Sequence, residues 1–209
     1  MMKRISPLFL LFLFSGNPAM AIEEPAYEVL LETKHYEVRR YQPYIVAEVD
    51  VDESFKRAGN SAFRVLAGYI FGDNVPQQKM AMTAPVESRE GERMNMTAPV
   101  TSRAGDGAGS FTYAFVMERK YTMDTLPRPN NPNIRLVQRP ERIVAVHRYS
   151  GTWSEERYAE HEKILIDALT IDRVAIVGVP VFARYNAPFT PWFLRRNEIM
   201  VEIDWKAAK

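Results

Sequence analysis

Met80-Ala81-Met82-Thr83-Ala84-Pro85-Val86 and Met94-Asn95-Met96-Thr97-Ala98-Pro99-Val100 are two copies of one phrase, agreeing at six of seven positions. They start fourteen residues apart, which leaves room for one turn at Glu90-Gly91-Glu92 and predicts two adjoining extended segments. In each copy both Met and the first Ala that follows them share a parity and therefore a face, while the Pro bars a fully paired central strand. Each segment is accordingly expected at an edge or bulge, with its Met side chains aimed at a common interior. Two readings of that face stand side by side. Met is a flexible apolar filler of ordinary cores; alternatively, paired thioethers at Met80, Met82, Met94 and Met96 line a pocket for a soft ligand such as Cu(I) or a tetrapyrrole iron.

Upstream of the phrase, two strand-like runs between Tyr36 and Val51 are broken at Gln42-Pro43, and Ile45, Ala47, Val49 and Val51 alternate with a more polar set. Asp52-Glu53-Ser54 supplies a helix start. Phe55, Ala58, Ala62, Leu66, Tyr69 and Ile70 then recur at helical spacing up to a stop near Gly72, with Lys56, Arg57 and Arg64 on the other side. Downstream, Phe111, Tyr113, Phe115 and Met117 alternate along a strand. Tyr121 to Asn133, rich in Pro and Asn, reads as an irregular joint between halves.

The second half echoes the first. Ile143-Val144-Ala145 repeats Ile45-Val46-Ala47, and Thr152 with Glu155 fits a capping box ahead of the stripe Tyr158, His161, Leu165, Ala168 and Leu169. Strands around Val179 to Tyr185 and through Ile199, Val201, Ile203 and Trp205 close the chain. Strands, helix and strands, written twice with antiparallel hairpins, predict an α+β fold: a curved or barrel-like sheet with two helices packed outside. The pseudo-repeats run from about 27 to 120 and from 134 to 205 within a single unit, 22–209.

The first residues stand apart. Lys3 and Arg4 precede the apolar run Leu8 to Phe14, and Ala19-Met20-Ala21 offers small residues for cleavage, so 1–21 reads as a Sec-type signal peptide with a mature start at Ile22. The 27 basic residues less Lys3 and Arg4, set against 26 acidic ones, give a formal charge of −1. Such a balance argues against a nucleic-acid partner. Cysteine is absent, which removes disulfides, thiol chemistry, Cys-ligated zinc and a lipoprotein anchor. A periplasmic or secreted location, with no stable membrane insertion after cleavage, is the expectation.

The doubled Met-x-Met-Thr-Ala-Pro-Val, Tyr36-Glu37-Val38-Arg39 near the start and Arg195-Arg196-Asn197-Glu198-Ile199 near the end together resemble the SOUL haem-binding proteins, from about Tyr27 to the last strand. The resemblance implies a distorted antiparallel β-barrel of two similar halves flanked by two helices. It also implies a tetrapyrrole, haem, held in a mainly apolar groove beside the first helix, on a fold shared with small-molecule effector-binding domains. Some members carry a His where this chain has Arg40, and a basic residue where it has Thr190.

The groove so implied would draw on Lys56, Phe63, Arg64 and Tyr69 of the first helix, Met82 and Met96 of the phrases, and Phe189 and Trp192 of the loop Pro188 to Phe193. Lys56 and Arg64 lie eight apart and can meet two propionates, or be an ordinary solvated face. The aromatic loop either lids a pocket by stacking on a flat ligand or covers the barrel end. For an axial position, His161 and His147 are the candidates, each weighed against a hydrogen-bonded core or boundary role; His35 sits in a polar turn. No Gly-rich phosphate loop, Gly-x-Ser-x-Gly or His-Glu-x-x-His occurs. The function expected is haem carrier, buffer or sensor rather than catalyst, with a Met-based Cu(I) site and a hydrolase or isomerase using a pocket carboxylate such as Glu198 as alternatives. A protein partner is not indicated.

Overall fold

The computed structural model describes residues 22–77, 90–105, 107 and 109–205. The expected leader, the first Met phrase and hence Met80 and Met82 lie outside these residues. The chain opens with β1 (Tyr27–Glu32), β2 (Glu37–Tyr41) and β3 (Tyr44–Asp52), followed by helix α1 (Phe55–Ile70) and the two-residue β4 (Asn74–Val75). Next come β5 (Val100–Ala104), β6 (Ser110–Val116), β7 (Arg128–Pro129), β8 (Arg135–Arg139) and β9 (Arg142–Tyr149). Helix α2 (Glu155–Ile171), β10 (Ala175–Ile176), β11 (Val181–Arg184) and β12 (Asn197–Asp204) complete it.

The main sheet runs β1-β2-β9-β12-β11-β5-β6-β3-β8, antiparallel throughout, while β4 pairs with β7 and β10 with β12. Reading outward from the central β11–β5 contact, β12 answers β6, β9 answers β3 and β2 answers β8. Each half is therefore strand, strand, helix, strand, strand, and each lends its first strand to the other: β2 pairs with β9, and β8 with β3. The fold is α+β, a curled antiparallel half-barrel with two helices. No helix among the described residues is long and apolar enough to cross a membrane.

Side-chain alternation gives the curled sheet two different faces. On the outer face Ala47, Val49, Tyr113, Phe115 and Met117 meet Ala58, Ala62, Leu66 and Tyr69 of α1, while Val38, Ala145, Phe182, Ile199 and Val201 meet Leu165 and Leu169 of α2. Leu66, Leu165 and Leu169 are fully buried, each stabilising by about 1.5–3 kcal/mol. The opposite parity, with Val46, Ala114, Val116, Val144, Val146 and Met200, turns inward to the hollow of the sheet.

Local signals explain most boundaries, with three corrections. Helix α1 begins where the Ser54 carbonyl accepts the backbone N–H groups of Arg57 and Ala58, and it ends at Phe71 before Gly72, whose φ of 116° suits glycine. For α2 the cap is Ser154, whose hydroxyl accepts from the Arg157 N–H at 3.4 Å; the expected Thr152 is exposed. Trp153 between them is thereby freed to pack. The expected turn at Glu90-Gly91-Glu92 is not seen. Gly91 lies against the Gly72 carbonyl and Asn74 holds the Glu92 backbone at 2.9 Å, so this glycine serves a close approach. Finally, the Pro-rich connection is not wholly irregular, since Arg128–Pro129 pairs with Asn74–Val75 beneath the end of α1.

The second Met phrase has no regular strand pairing before Val100 and bends at Ala98. Met94 is buried and Met96 half-buried in the α1 cluster. Ala98 departs from the shared face the parity predicted, joining Tyr41, Val144 and Tyr185 in a separate cluster.

Candidate functional site

The gap between the helices lies over the seam where the two halves meet. Helix α1 rests on β3 and β6, and α2 on β9 and β12, so β11 and β5 form the floor between them. Across this floor the outward row reads Tyr149, Asn197, Arg184, Val100, Phe115 and Ala47. A cleft of about 390 Å³ opens there, walled by Phe55, Gly59 and Asn60 of α1, by Trp153 with the first residues of α2, and by Arg184 from below.

Trp153 organises the α2 side. Its indole N–H donates to Asn197 Oδ1 at 2.8 Å, and the fully buried Asn197 donates in turn to the Gly151 carbonyl at 3.2 Å. Two guanidinium groups sit over the indole ring, Arg195 at 4.2 Å and Arg184 at 5.2 Å from its centroid. Arg195 also donates to the carbonyls of Thr190 and Pro188, both at 2.8 Å. The aromatic loop is thus tied to the wall of the cleft. On the α1 side, Gly59 brings the helix down until a Cβ there would touch the Tyr113 hydroxyl at 3.4 Å and Arg184 Nη1 at 3.5 Å.

The floor is electrostatically unsettled. The Tyr149 hydroxyl, Arg184 Nε and His161 Nε2 are enclosed without a hydrogen-bond partner among the described residues, and the enclosed Tyr113 hydroxyl lies beside Ser102 and Arg184. Burial pushes both phenols up and the Arg184 guanidinium down, the nearby phenols only partly offsetting the latter. Arg184 has no ion pair among the described residues.

The residues singled out from sequence fall in several places. Asn60, Phe63 and Arg64 follow one another down an exposed flank of α1, one turn beyond the position of Lys56, and Phe63 packs edge-on against Phe115 at 5.5 Å. Phe63 therefore stands about two strand spacings, ~10 Å, from the Arg184 strand. Phe189 is 89% exposed and Trp192 is 59% exposed, at the tip of the loop that Arg195 tethers. Tyr69, in contrast, is buried and donates its hydroxyl to the Pro127 carbonyl at 2.7 Å, away from the cleft. Met96 packs into the α1 core.

His147 and His161 meet each other. His147 Nδ1 lies 2.7 Å from the His35 carbonyl and so carries the proton; its Nε2 then accepts from His161 Nδ1 at 3.0 Å. This leaves His161 Nε2 a bare lone pair, enclosed against the Tyr149 ring at a centroid distance of 3.7 Å. Burial, and then the neighbouring His147, lower the His161 imidazole to about 4.

Glu198 lies on the other face of the sheet and is fully buried. It accepts from Arg39 at 3.0 and 3.2 Å, from Arg196 Nε at 3.0 Å and from the Tyr185 hydroxyl at 2.7 Å. Both oxygens are committed, so this carboxylate is held as a structural anion with no lone pair turned to a substrate. Burial, the largest single influence, lowers Arg39, yet the Glu198 charge, Tyr41 and the hydrogen bonds to Glu198 and Glu37 together outweigh it and hold the guanidinium raised.

Sequence reasoning missed Trp153, Arg184 and Arg195 as site residues. A signal existed for Arg184: it shares parity with Phe182 on a strand whose outward face is otherwise apolar. The cleft suits part of what a haem requires. It offers two aromatic side chains, Phe55 and Trp153, and the Arg184 guanidinium with its orphaned Nε, beside the acids Glu155 and Glu156, while none of its described lining residues is a Cys, His, Met or Tyr. Among the described residues no cluster of three His, Cys, Asp or Glu is placed to hold a metal ion.

Comparison with known proteins adds to this geometry. The chain is 25% identical over 205 residues to Heme-binding protein 2 of Mus musculus, covering 90% of this chain and 93% of that protein. It is 26% identical over 197 residues to Heme-binding protein 2 of Homo sapiens, covering 86% and 89%. Among solved structures, the C-terminal domain of EcmrR superposes with a TM-score of 0.60 at 8% identity, covering 86% of this chain and 99% of that one. A hydrolase from Listeria innocua gives 0.53 at 8% identity, covering 83% and 94%. These two likenesses concern the fold alone. A family model described as SOUL heme-binding protein matches residues 22–202, and the chain belongs to that family.

Proposed function

We propose that this is a haem-binding protein of a bacterial periplasm or other secreted space, acting as carrier, buffer or sensor rather than catalyst. The carrying observation is the open cleft over the β11–β5 seam, with Phe55 and Asn60 on one side, Trp153 with its two arginines on the other, and Phe63 exposed farther along α1. A bound haem would supply a flat apolar face, two carboxylates and an iron. Phe63, Trp153 and the tethered Phe189 and Trp192 provide aromatic area for the first. Arg64, Arg184 and Arg195 provide charge for the second, and Glu155 and Glu156 at the start of α2 turn that edge away from themselves. Because no described side chain lining the cleft is an axial ligand type, binding rests on the macrocycle and its carboxylates, and His147 of β9 and His161 of α2 pack against each other.

The near-neutral charge and the lack of Cys support this location and a small-molecule partner without nucleic acid. The core positions of Met94 and Met96, and the saturation of Glu198, favour this reading over a Cu(I) site or a hydrolase. Titration of the purified protein with hemin should give a saturable Soret shift with one site, retained in a His147→Ala and His161→Ala double variant. A spectrum unchanged from free hemin, or stoichiometry that never saturates, overturns the proposal.

A further inference from the structure

The hollow of the sheet holds a second, separate cavity of about 220 Å³, lined by strands of both halves and by Pro25, Gly178 and Val179. It is smaller than the roughly 300–1,000 Å³ that drug-sized ligands occupy, and it lies on the face opposite the cleft. Much of its wall is apolar, including Val46, Val116, Val144 and Met200.

Its charges are not balanced. Of the carboxylates in the lining, Glu48 is buried and already takes Arg139 at 2.6 Å and Arg135 at 3.2 Å, while Arg135 also bridges to Asp50 at 2.6 Å. Glu202 is the remaining acid in the lining, beside Gly178, and its backbone carbonyl accepts from Val177 and Gly178. Against it stand, besides the paired Arg139, two lining guanidiniums: Arg142, and Arg103, whose charge also acts on Asp50; neither forms an ion pair among the described residues. Arg142 donates through Nη2 to the Tyr44 hydroxyl, and its Nε is enclosed with no partner. Nε and Nη2 are the two donors on one edge of the guanidinium that carboxylates engage as a fork. Tyr44, accepting from Arg142, keeps its own proton to give.

We propose that this cavity binds a small organic carboxylate, with the anionic head on the Arg142 edge and the Tyr44 hydroxyl, and an apolar body against Val46, Val144 and Met200. Arg103 adds charge from the opposite wall. An enclosed guanidinium N–H with no partner costs free energy that an amphipathic anion of this size removes, whereas a cation meets an excess of arginine among the described lining residues.

The probe is sodium benzoate, with benzamide as the uncharged counterpart and benzylammonium chloride as the cation, each titrated into protein carrying 13C-methyl methionine. Benzoate should shift the Met200 methyl saturably while leaving Met94, in the α1 core, unmoved. Arg142→Gln should weaken benzoate at least tenfold, and Arg103→Gln or Tyr44→Phe severalfold, with thermal melting checked for each variant. Hemin titration, which reads the other face, should be unchanged, so failure here and failure of the haem proposal are distinguishable. No Met200 shift, benzamide or benzylammonium binding as tightly as benzoate, or a folded Arg142→Gln variant that keeps its affinity would overturn the assignment. If Arg142→Gln does not fold, retention of full benzoate affinity by both Arg103→Gln and Tyr44→Phe refutes it equally.

Discussion

Replacing Glu198 by Gln tests whether the hollow face is held together by charge. Arg39 is 2% exposed and Glu198 is 0% exposed, and the two share a bidentate contact at 3.0 and 3.2 Å. Removing one member of such a buried pair typically costs about 3–5 kcal/mol, because the survivor is stranded out of water. Here the lower end applies. Arg39 keeps Glu37 at 2.7 Å, and Arg196 keeps Glu24 at 3.0 Å and is partly wetted. Glu198→Gln should therefore destabilise by about 3 kcal/mol, lowering Tm by roughly 6–12 °C for a chain of this length. The double variant Arg39→Met with Glu198→Leu fills similar volume without stranding either charge, and should recover most of that loss. Urea unfolding of the wild type, both singles and the double closes the cycle. Additive single effects, or a Glu198→Gln variant within ~0.5 kcal/mol of wild type, would refute the buried ion pair as the organising contact. A fully folded Glu198→Gln protein that lost an ester-cleaving activity would instead revive the carboxylate as a catalyst.

Three other outcomes are expected. His161 is lowered to about 4 from 6.5, so the folded state resists its protonation and the unfolded chain binds more protons between these values. Stability is then level above about pH 6.5 and falls as pH drops towards 4, by ~1–2 kcal/mol once solvent screening of this half-buried ring is allowed for; urea midpoints at pH 7.5 and 4.5 should lose that slope in His161→Phe, and an unaltered slope refutes the assignment. Gly91→Ala would place a Cβ 1.6 Å from the Gly72 carbonyl oxygen, so the segment must move and a loss of about 2 kcal/mol or more is expected in denaturant midpoints, with a neutral variant disproving the close approach. Phe189→Ala and Trp192→Ala alter exposed side chains and should keep stability within ~0.5 kcal/mol while weakening hemin binding three- to tenfold by roughly one stacking contact each; unchanged hemin affinity in the double variant would remove the loop from the site.

Much of the fold was legible one residue at a time. Ala58, Ala62, Leu66, Tyr69 and Ile70 recur at the helical period and all are buried under α1, and Tyr113, Phe115 and Met117 alternate and all face that helix. The echo of Ile45-Val46-Ala47 in Ile143-Val144-Ala145 marks equivalent strands, β3 and β9, in the two halves. Ala98 shows where pattern stops: parity placed it beside Met94 and Met96, but the chain leaves the outer face between Met96 and Val100 and Ala98 is buried elsewhere. The cleft was only half visible, through the flank of α1 that carries Phe63 and Arg64 beyond it and through the aromatic loop, because Trp153 reaches it by a helix beginning at Ser154 rather than at Thr152.

Sequence alone thus determined which side of each element is apolar, since period and turn chemistry act over a few residues and are written locally. Tertiary structure alone decided which elements became neighbours: that β2 and β8 change places between the halves, that Arg39 finds Glu198 across 159 residues, that His147 meets His161, and that Arg142 has no acid partner among the described residues. Those pairings follow from burying both apolar faces of one curled sheet at once, and a condition on the whole surface cannot be read from any single stretch of it.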